Sequence, residues 1–225
     1  MISPIQVLYE DNHLLVMNKQ AGVLVQGDAT GDVPLVDMAK EYIGEKYQKP
    51  GDVFLGVVHR LDRPVSGVVV FARTSKALER MNALFRDRKT QKTYWALVTN
   101  KPARNEGTLV HWLIKDEKKN KTTAYSKENP NGSRSELHYK VIDNKRGYFL
   151  IEVNPITGRP HQIRVQLASM GCPIVGDVKY GSRIPSPDGS LALHARQLKF
   201  IHPVRHEPLI VSASLPGVEW WIPFL

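Results

Sequence analysis

The chain has 225 residues, 42% hydrophobic and 24% charged, a globular composition that excludes an intrinsically disordered or low-complexity protein. Lys and Arg number 31 against 22 Asp and Glu, a formal charge of +9, so a polyanionic partner such as nucleic acid stands beside the plain alternative of a basic protein without one. No apolar run approaches the ~20 residues of a membrane span. Residues 1–4 have neither the basic region nor the apolar stretch of a signal peptide, and the single cysteine, Cys172, allows no internal disulfide and fits a reducing cytoplasm.

In chain order, Ile5–Tyr9 and Leu14–Met17 read as two short strands around the turn Glu10–His13. The glycine-rich stretch Gly27–Asp32 lacks the Gly-Lys-Ser/Thr ending of a phosphate-binding loop and reads as a flexible connection. From Pro34 to Tyr47, apolar Leu35, Met38, Ala39, Tyr42 and Ile43 recur at helical spacing, with Asp32 or Asp37 near the start. A second helix is predicted from Ser75, its N-cap, to about Arg88, with Leu78, Met81, Leu84 and Phe85 on its apolar face. Arg86, Arg88, Lys89 and Lys92 cluster at its end. Cations there suit the helix dipole and suit an RNA phosphate track equally, so both readings stand.

Lys92–Val98 has strand propensity, with Tyr94, Ala96 and Val98 on one face. Leu109–Ile114 and Thr122–Ser126 are predicted strands around a turn bearing Lys115, Lys118, Lys119 and Lys121, a run that ordinarily marks a solvated loop. Leu137–Ile142 and Tyr148–Val153 form a predicted hairpin across Asp143–Gly147. A third helix is predicted over His161–Met170, with Pro160 suited to its first turn and Gly171 to its end. Two strands follow, Leu191–Phe200 and Leu209–Ala213. Strands outnumber helices without regular alternation, which predicts an α+β fold with a mixed, largely antiparallel central sheet and flanking helices. No repeat or long linker divides the chain, so residues 1–225 are expected to form a single domain.

The most informative stretch is His59-Arg60-Leu61-Asp62, lying between the apolar runs Phe54–Val58 and Val68–Ala72. An Asp between buried strands is costly unless its charge is compensated, and Arg60 and Arg63 are close enough in sequence to do so. Taken alone, it is most simply a turn carboxylate in a salt bridge.

Four blocks in order change that. They are Asn18-Lys19 with Ala21-Gly22; His59-Arg60-Leu61-Asp62 with Ser66-Gly67; Lys92-Thr93-Tyr94; and Thr157-Gly158-Arg159 through His161-Gln162-Ile163-Arg164 to Gly176-Asp177 and Tyr180-Gly181. Together they resemble the RluA family of RNA pseudouridine synthases, over roughly residues 5–215, with a weaker echo in Leu193-His194-Ala195 and His202-Pro203. The chain departs from the family pattern at Gln20, at Pro64-Val65 and at Cys172, none of which removes a catalytic group. The small N-terminal RNA-binding domain of many relatives is not expected, which assigns substrate recognition to the catalytic domain.

The resemblance implies isomerisation of uridine to pseudouridine without cofactor or metal, in large-subunit ribosomal RNA, transfer RNA or both, by a cytoplasmic, monomeric enzyme with no membrane partner. It makes Asp62 the nucleophile, Arg164 the guanidinium that keeps a desolvated carboxylate ionised, and Tyr94 the ring that stacks on uracil and relays the carbon 5 proton. Arg60 resembles the residue that fills the gap left by the extruded nucleotide. His59 and Leu61 are expected to be structural. Lys19, Arg86, Arg88, Lys89, Lys92 and Arg159 are the expected RNA contacts, and Lys115–Lys121 adds candidate phosphate contacts.

Other chemistries are weaker. His202 and His206 have i, i+4 spacing, but Pro203 between them argues against a helical metal pair, and Cys172 has no evident base partner. A non-catalytic RNA-folding chaperone on the same fold is the alternative function. A nucleoside hydrolase would call for a second carboxylate in a matching motif, and none is evident.

Overall fold

The computed structural model describes residues 5–225, so the stretch inspected for a signal peptide, residues 1–4, lies outside it. The chain divides into two units, residues 5–91 with 195–214, and residues 92–194 with 215–225.

In the first unit, β1 (Gln6–Glu10) and β2 (Leu14–Lys19) form an antiparallel hairpin. Its turn is set by Asp11, whose Oδ1 accepts the backbone N–H groups of His13 and Leu14, both at 2.8 Å. β4 (Ser66–Ala72) pairs antiparallel with β2 from Leu14↔Ala72 to Lys19↔Gly67. Every residue of β2 and β4 is buried, so these strands are covered on both faces. β10 (Leu193–Ile201) neighbours β4, and β11 (Pro208–Ser212) pairs antiparallel with β10. Leu14, Val16, Val68, Val70, Met81, Leu198 and Phe200 are central to its core.

The run Phe54–Val58 yields only a two-residue strand, β3 (Gly56–Val57), on β4. Beyond Val57 the Val70 N–H is taken by the Nε2 of His59 at 3.2 Å, so a side chain replaces the backbone partner and the ladder stops.

Helix α1 (Leu35–Tyr47) starts after Pro34 without a side-chain cap and carries Asp37 in its first turn. Helix α2 (Ser75–Arg86) is capped one residue earlier than predicted: the Thr74 hydroxyl accepts the Ala77 N–H at 3.1 Å. Ala77 and Met81 are fully buried, and Leu78, Leu84 and Phe85 pack against the same core.

In the second unit, β5 (Gln91–Val98), β9 (Tyr148–Pro155), β8 (Ser133–Lys145), β6 (Glu106–Asp116) and β7 (Lys121–Tyr125) lie side by side in that order, each pair antiparallel. The β8–β9 hairpin is tighter than predicted. Pairing runs to Lys145↔Tyr148, leaving only Arg146 and Gly147 in the turn, at φ 50° and 80°. Two left-handed residues match strand twist, which lets the strands continue to the turn.

Helix α3 (Gln162–Ser169) also begins later than predicted. His161 occupies its N-cap in the left-handed region, φ 55°, so Pro160 precedes the helix instead of opening it. Residues 162–167 are all buried. The fold class is α+β, with three α-helices among the described residues. Among the described residues, no helix is long and apolar enough to cross a membrane.

Candidate active site

Asp62 sits half-buried in the turn between β3 and β4. Its carbonyl accepts the Val65 N–H at 3.0 Å, closing a β-turn with Arg63 and Pro64 at the corners. The flanks are fixed as expected for structural residues: His59 stacks on Phe85 at 4.8 Å and 19°, and Leu61 is buried. The Ser66-Gly67 pair that follows has a steric reason. Gly67 has φ 116°, and a Cβ there would lie 2.3 Å from the Ala195 carbonyl oxygen, so only glycine lets β4 leave the turn here.

Arg63 does not serve Asp62 in the way the sequence suggested. Its Nη2 pairs with Asp32 at 2.7 Å and its Nε donates to the Gly22 carbonyl at 2.9 Å.

A buried cation in the field of Asp62 is Lys19. Its side chain has 0% exposure, and Nζ donates to the carbonyls of Gln20 (3.0 Å), Val23 (2.7 Å) and Arg63 (3.0 Å). Three acceptors match the three N–H bonds of an ammonium. Burial pulls the Lys19 pKa down to about 7, while the Asp62 carboxylate opposes that fall. The expectation that Lys19 contacts RNA is therefore corrected. With its donors committed inside the protein, it fastens the chain after β2 to the turn that carries Asp62.

In the second unit, Tyr94 is half-buried on β5, opposite Val153 of β9. Its neighbour Thr93 donates to Asn154 Oδ1 at 3.1 Å, and Lys92 lies near Gly158, where a Cβ would be 3.6 Å from its Nζ. The Thr157 turn is held by side chains: Gln162 Oε1 accepts from the Thr157 hydroxyl (2.8 Å) and from the Arg159 N–H (3.0 Å). The first N–H of α3, that of Gln162, donates to the Arg159 carbonyl at 3.1 Å.

Arg164 is buried, not a surface helix arginine. It forms a bidentate pair with Asp177, Nε to Oδ2 at 2.7 Å and Nη2 to Oδ1 at 2.9 Å. The Tyr180 ring lies 5.1 Å from its guanidinium carbon. In sequence, Asp177 and Tyr180 stand at the end of the fourth block, without a role of their own. Their signal was an Asp one glycine beyond the apolar run Pro173–Val175, where a charge demands a partner.

The remaining expected RNA contacts are exposed: Arg60 in the Asp62 loop, Arg86 at the end of α2, Arg88 and Lys89 beyond it, and Arg159 before α3. Arg86 pairs with Asp87 at 3.1 Å. Cys172 is buried, which pushes its thiol pKa up and leaves it a poor nucleophile. Of the two spaced histidines, His202 lies 3.0 Å from Asp11, and His206 has left-handed backbone, φ 60°.

The α+β fold is that of pseudouridylate synthases among solved structures. A family model described as RNA pseudouridylate synthase matches residues 13–169. Curated relatives include ribosomal large subunit pseudouridine synthase C of Vibrio vulnificus (strain CMCP6), 35% identical over 215 residues, covering 93% of this chain and 65% of the relative. Ribosomal large subunit pseudouridine synthase D of Xylella fastidiosa (strain Temecula1 / ATCC 700964) is 34% identical, covering 95% of this chain and 66% of the relative. The chain thus spans about two thirds of the length of these relatives. Among solved structures, human RNA pseudouridylate synthase domain containing 4 superposes with a TM-score of 0.78 at 26% identity, covering 94% of this chain and 89% of that one. The chain belongs to the RNA pseudouridylate synthase family, as its resemblance to the RluA branch implied.

Proposed function

We propose that this protein is an RNA pseudouridine synthase that isomerises specific uridines in large-subunit ribosomal RNA, transfer RNA or both. The bond from uracil nitrogen 1 to the ribose breaks, the base turns, and a bond forms from carbon 5 to the ribose. The carbon 5 proton leaves and nitrogen 1 gains one, so atoms and electrons balance without a cofactor.

In this reading Asp62 is the nucleophile. The observation that carries it is the Asp62 turn itself, inside the family-matched segment and tied by Lys19 to the chain after β2. A nucleophile held by backbone bonds is pre-oriented, and orientation is worth several kcal/mol of barrier, about 7 or more in favourable cases. Tyr94 stacks on the uracil and takes the carbon 5 proton, directly or through a water. Arg164 supports the negative charge of the ionised carboxylate. Arg60 occupies the space of the extruded nucleotide, and extrusion costs a few kcal/mol that contacts along the RNA offset.

The test is a pseudouridine map of ribosomal and transfer RNA from cells lacking the protein, complemented with wild type or with Asp62→Asn. A site lost in the deletion and restored only by wild type identifies the substrate and supports the nucleophile. Equal restoration by Asp62→Asn overturns the role of Asp62. An unchanged map favours an RNA-folding chaperone.

A further inference from the structure

Arg164 is held on more than one side, and the group that links these restraints is Tyr180. The ring of Tyr180 lies against the Arg164 guanidinium at 5.1 Å, while Asp177 grips the Nε edge with two hydrogen bonds. The Tyr180 hydroxyl is itself fixed. It accepts the backbone N–H of Thr122 at 2.8 Å and shares a 2.7 Å hydrogen bond with His161 Nδ1.

Thr122 belongs to β7, and its hydroxyl also donates to the Pro160 carbonyl at 3.1 Å, just before α3. Lys179 Nζ adds a bond to the Asn120 carbonyl at 3.0 Å. The β6–β7 hairpin is therefore stitched to both ends of the segment that holds Arg164: to Pro160 before α3, and to Lys179 and Tyr180 after it. The same hairpin exposes Lys118, Lys119 and Lys121 at its tip.

We propose that Tyr180 is a positioning residue for Arg164, and that through Thr122 it couples the orientation of Arg164 to the β6–β7 hairpin. The proposal rests on the reading of Arg164 as part of the catalytic machinery. A guanidinium is planar and directional, so it can support a developing charge only if its plane is fixed. Asp177 alone defines one edge of that plane. The Tyr180 ring adds the second restraint, against rotation about the Nε edge, and ring stacking on guanidinium is favourable in its own right. With its hydroxyl bound to β7 and to His161, the ring cannot swing away without breaking two hydrogen bonds. A displacement of the hairpin when RNA binds it would be carried to the guanidinium by this rigid path.

The experiment is a double-mutant cycle on the full chain, with single-turnover rate, RNA dissociation constant and thermal midpoint read for each protein. The variants are Tyr180→Phe, Arg164→Lys and the pair. Tyr180→Phe keeps the ring and loses the anchor. It is expected to slow turnover roughly tenfold with unchanged RNA affinity, and to add little once Arg164 is lysine. Full additivity, or a Tyr180→Phe rate equal to wild type, overturns the positioning role. Should Arg164→Lys be too slow to enter the cycle, Thr122→Val is the second variant: it removes the Pro160 bond from the same path, and an unchanged rate there counts against the coupling. If Arg164→Ala retains wild-type turnover, the catalytic reading of Arg164 fails instead, whatever Tyr180 does.

Discussion

Lys19 donates to the carbonyl of Arg63 at 3.0 Å, joining the end of β2 to the residue after Asp62. Two further carbonyls, of Gln20 and Val23, complete its coordination, and the side chain is wholly buried. Replacing it leaves three carbonyls of a part-buried site without their donor and removes a buried cation from the field of the Asp62 carboxylate. Lys19→Met is expected to destabilise the protein by on the order of 3 kcal/mol. Urea denaturation should show a lower midpoint with an unchanged slope, and turnover should fall even at temperatures where the variant remains folded.

Gly67 makes a second prediction, because its backbone sits at φ 116° and the Ala195 carbonyl fills the space a side chain would need. Gly67→Ala meets both a conformational and a steric penalty, together about 3 kcal/mol or more. Since the contact is with backbone, no rotamer change can relieve it. A thermal melt should show a loss of many degrees, whereas Gly22→Ala, with open space around it, should lose less.

His202 gives the protein a pH dependence of definite sign. Burial holds its pKa below the usual 6.5, although Asp11 opposes the shift; Arg205 and His13 reinforce it. The folded state therefore takes up this proton at lower pH than the unfolded state does. Around pH 6.5 and below, the unfolded chain binds more protons, so stability falls as pH falls through that range. Asp11, held below its usual range, extends the same trend at lower pH, where its protonation breaks the contacts it accepts. His202→Asn keeps an acceptor for the Val204 and Arg205 N–H groups that Nδ1 now binds. Urea titrations at about pH 7.5 and about pH 5.5 should show a smaller difference in that variant than in wild type.

The exposed cluster Arg86, Arg88 and Lys89 can be weighed as an RNA contact by its salt dependence. Each phosphate contact with single-stranded RNA contributes about 0.7 to the slope of log affinity against log salt. Replacing all three with Gln should flatten the slope by about 2 if each meets a phosphate. A slope identical to wild type assigns them to the end of α2 alone, where cations suit the helix dipole.

Much of the fold was legible in sequence, because amphipathic periodicity and turn residues are local signals. The α2 apolar face, the β1–β2 hairpin and the buried run of β4 all follow from which residues recur at which spacing. The misplaced boundaries have nonlocal or conformational causes. β3 is short because the His59 side chain takes the Val70 N–H, and α3 starts late because His161 adopts a left-handed backbone that no pattern of apolarity announces. The β8–β9 turn is narrower for a similar reason, as Arg146 accepts a conformation usually left to glycine or asparagine.

The candidate site divides along the same line. Sequence alone determined the family, the identity of Asp62, Tyr94 and Arg164 as the residues to examine, and the basic character of the surface, since these depend on residue type and order. Tertiary structure decided which charges meet. Lys19 reads in sequence as one more cation suited to RNA, yet three backbone carbonyls bind it inside the protein. Arg164 reads as a partner for a nucleophile, and the fold also buries it in a pair with Asp177 beside the Tyr180 ring. A charge on a sequence carries no record of its depth or its neighbours; desolvation and pairing, which set its pKa and its role, exist only once the chain has folded around it.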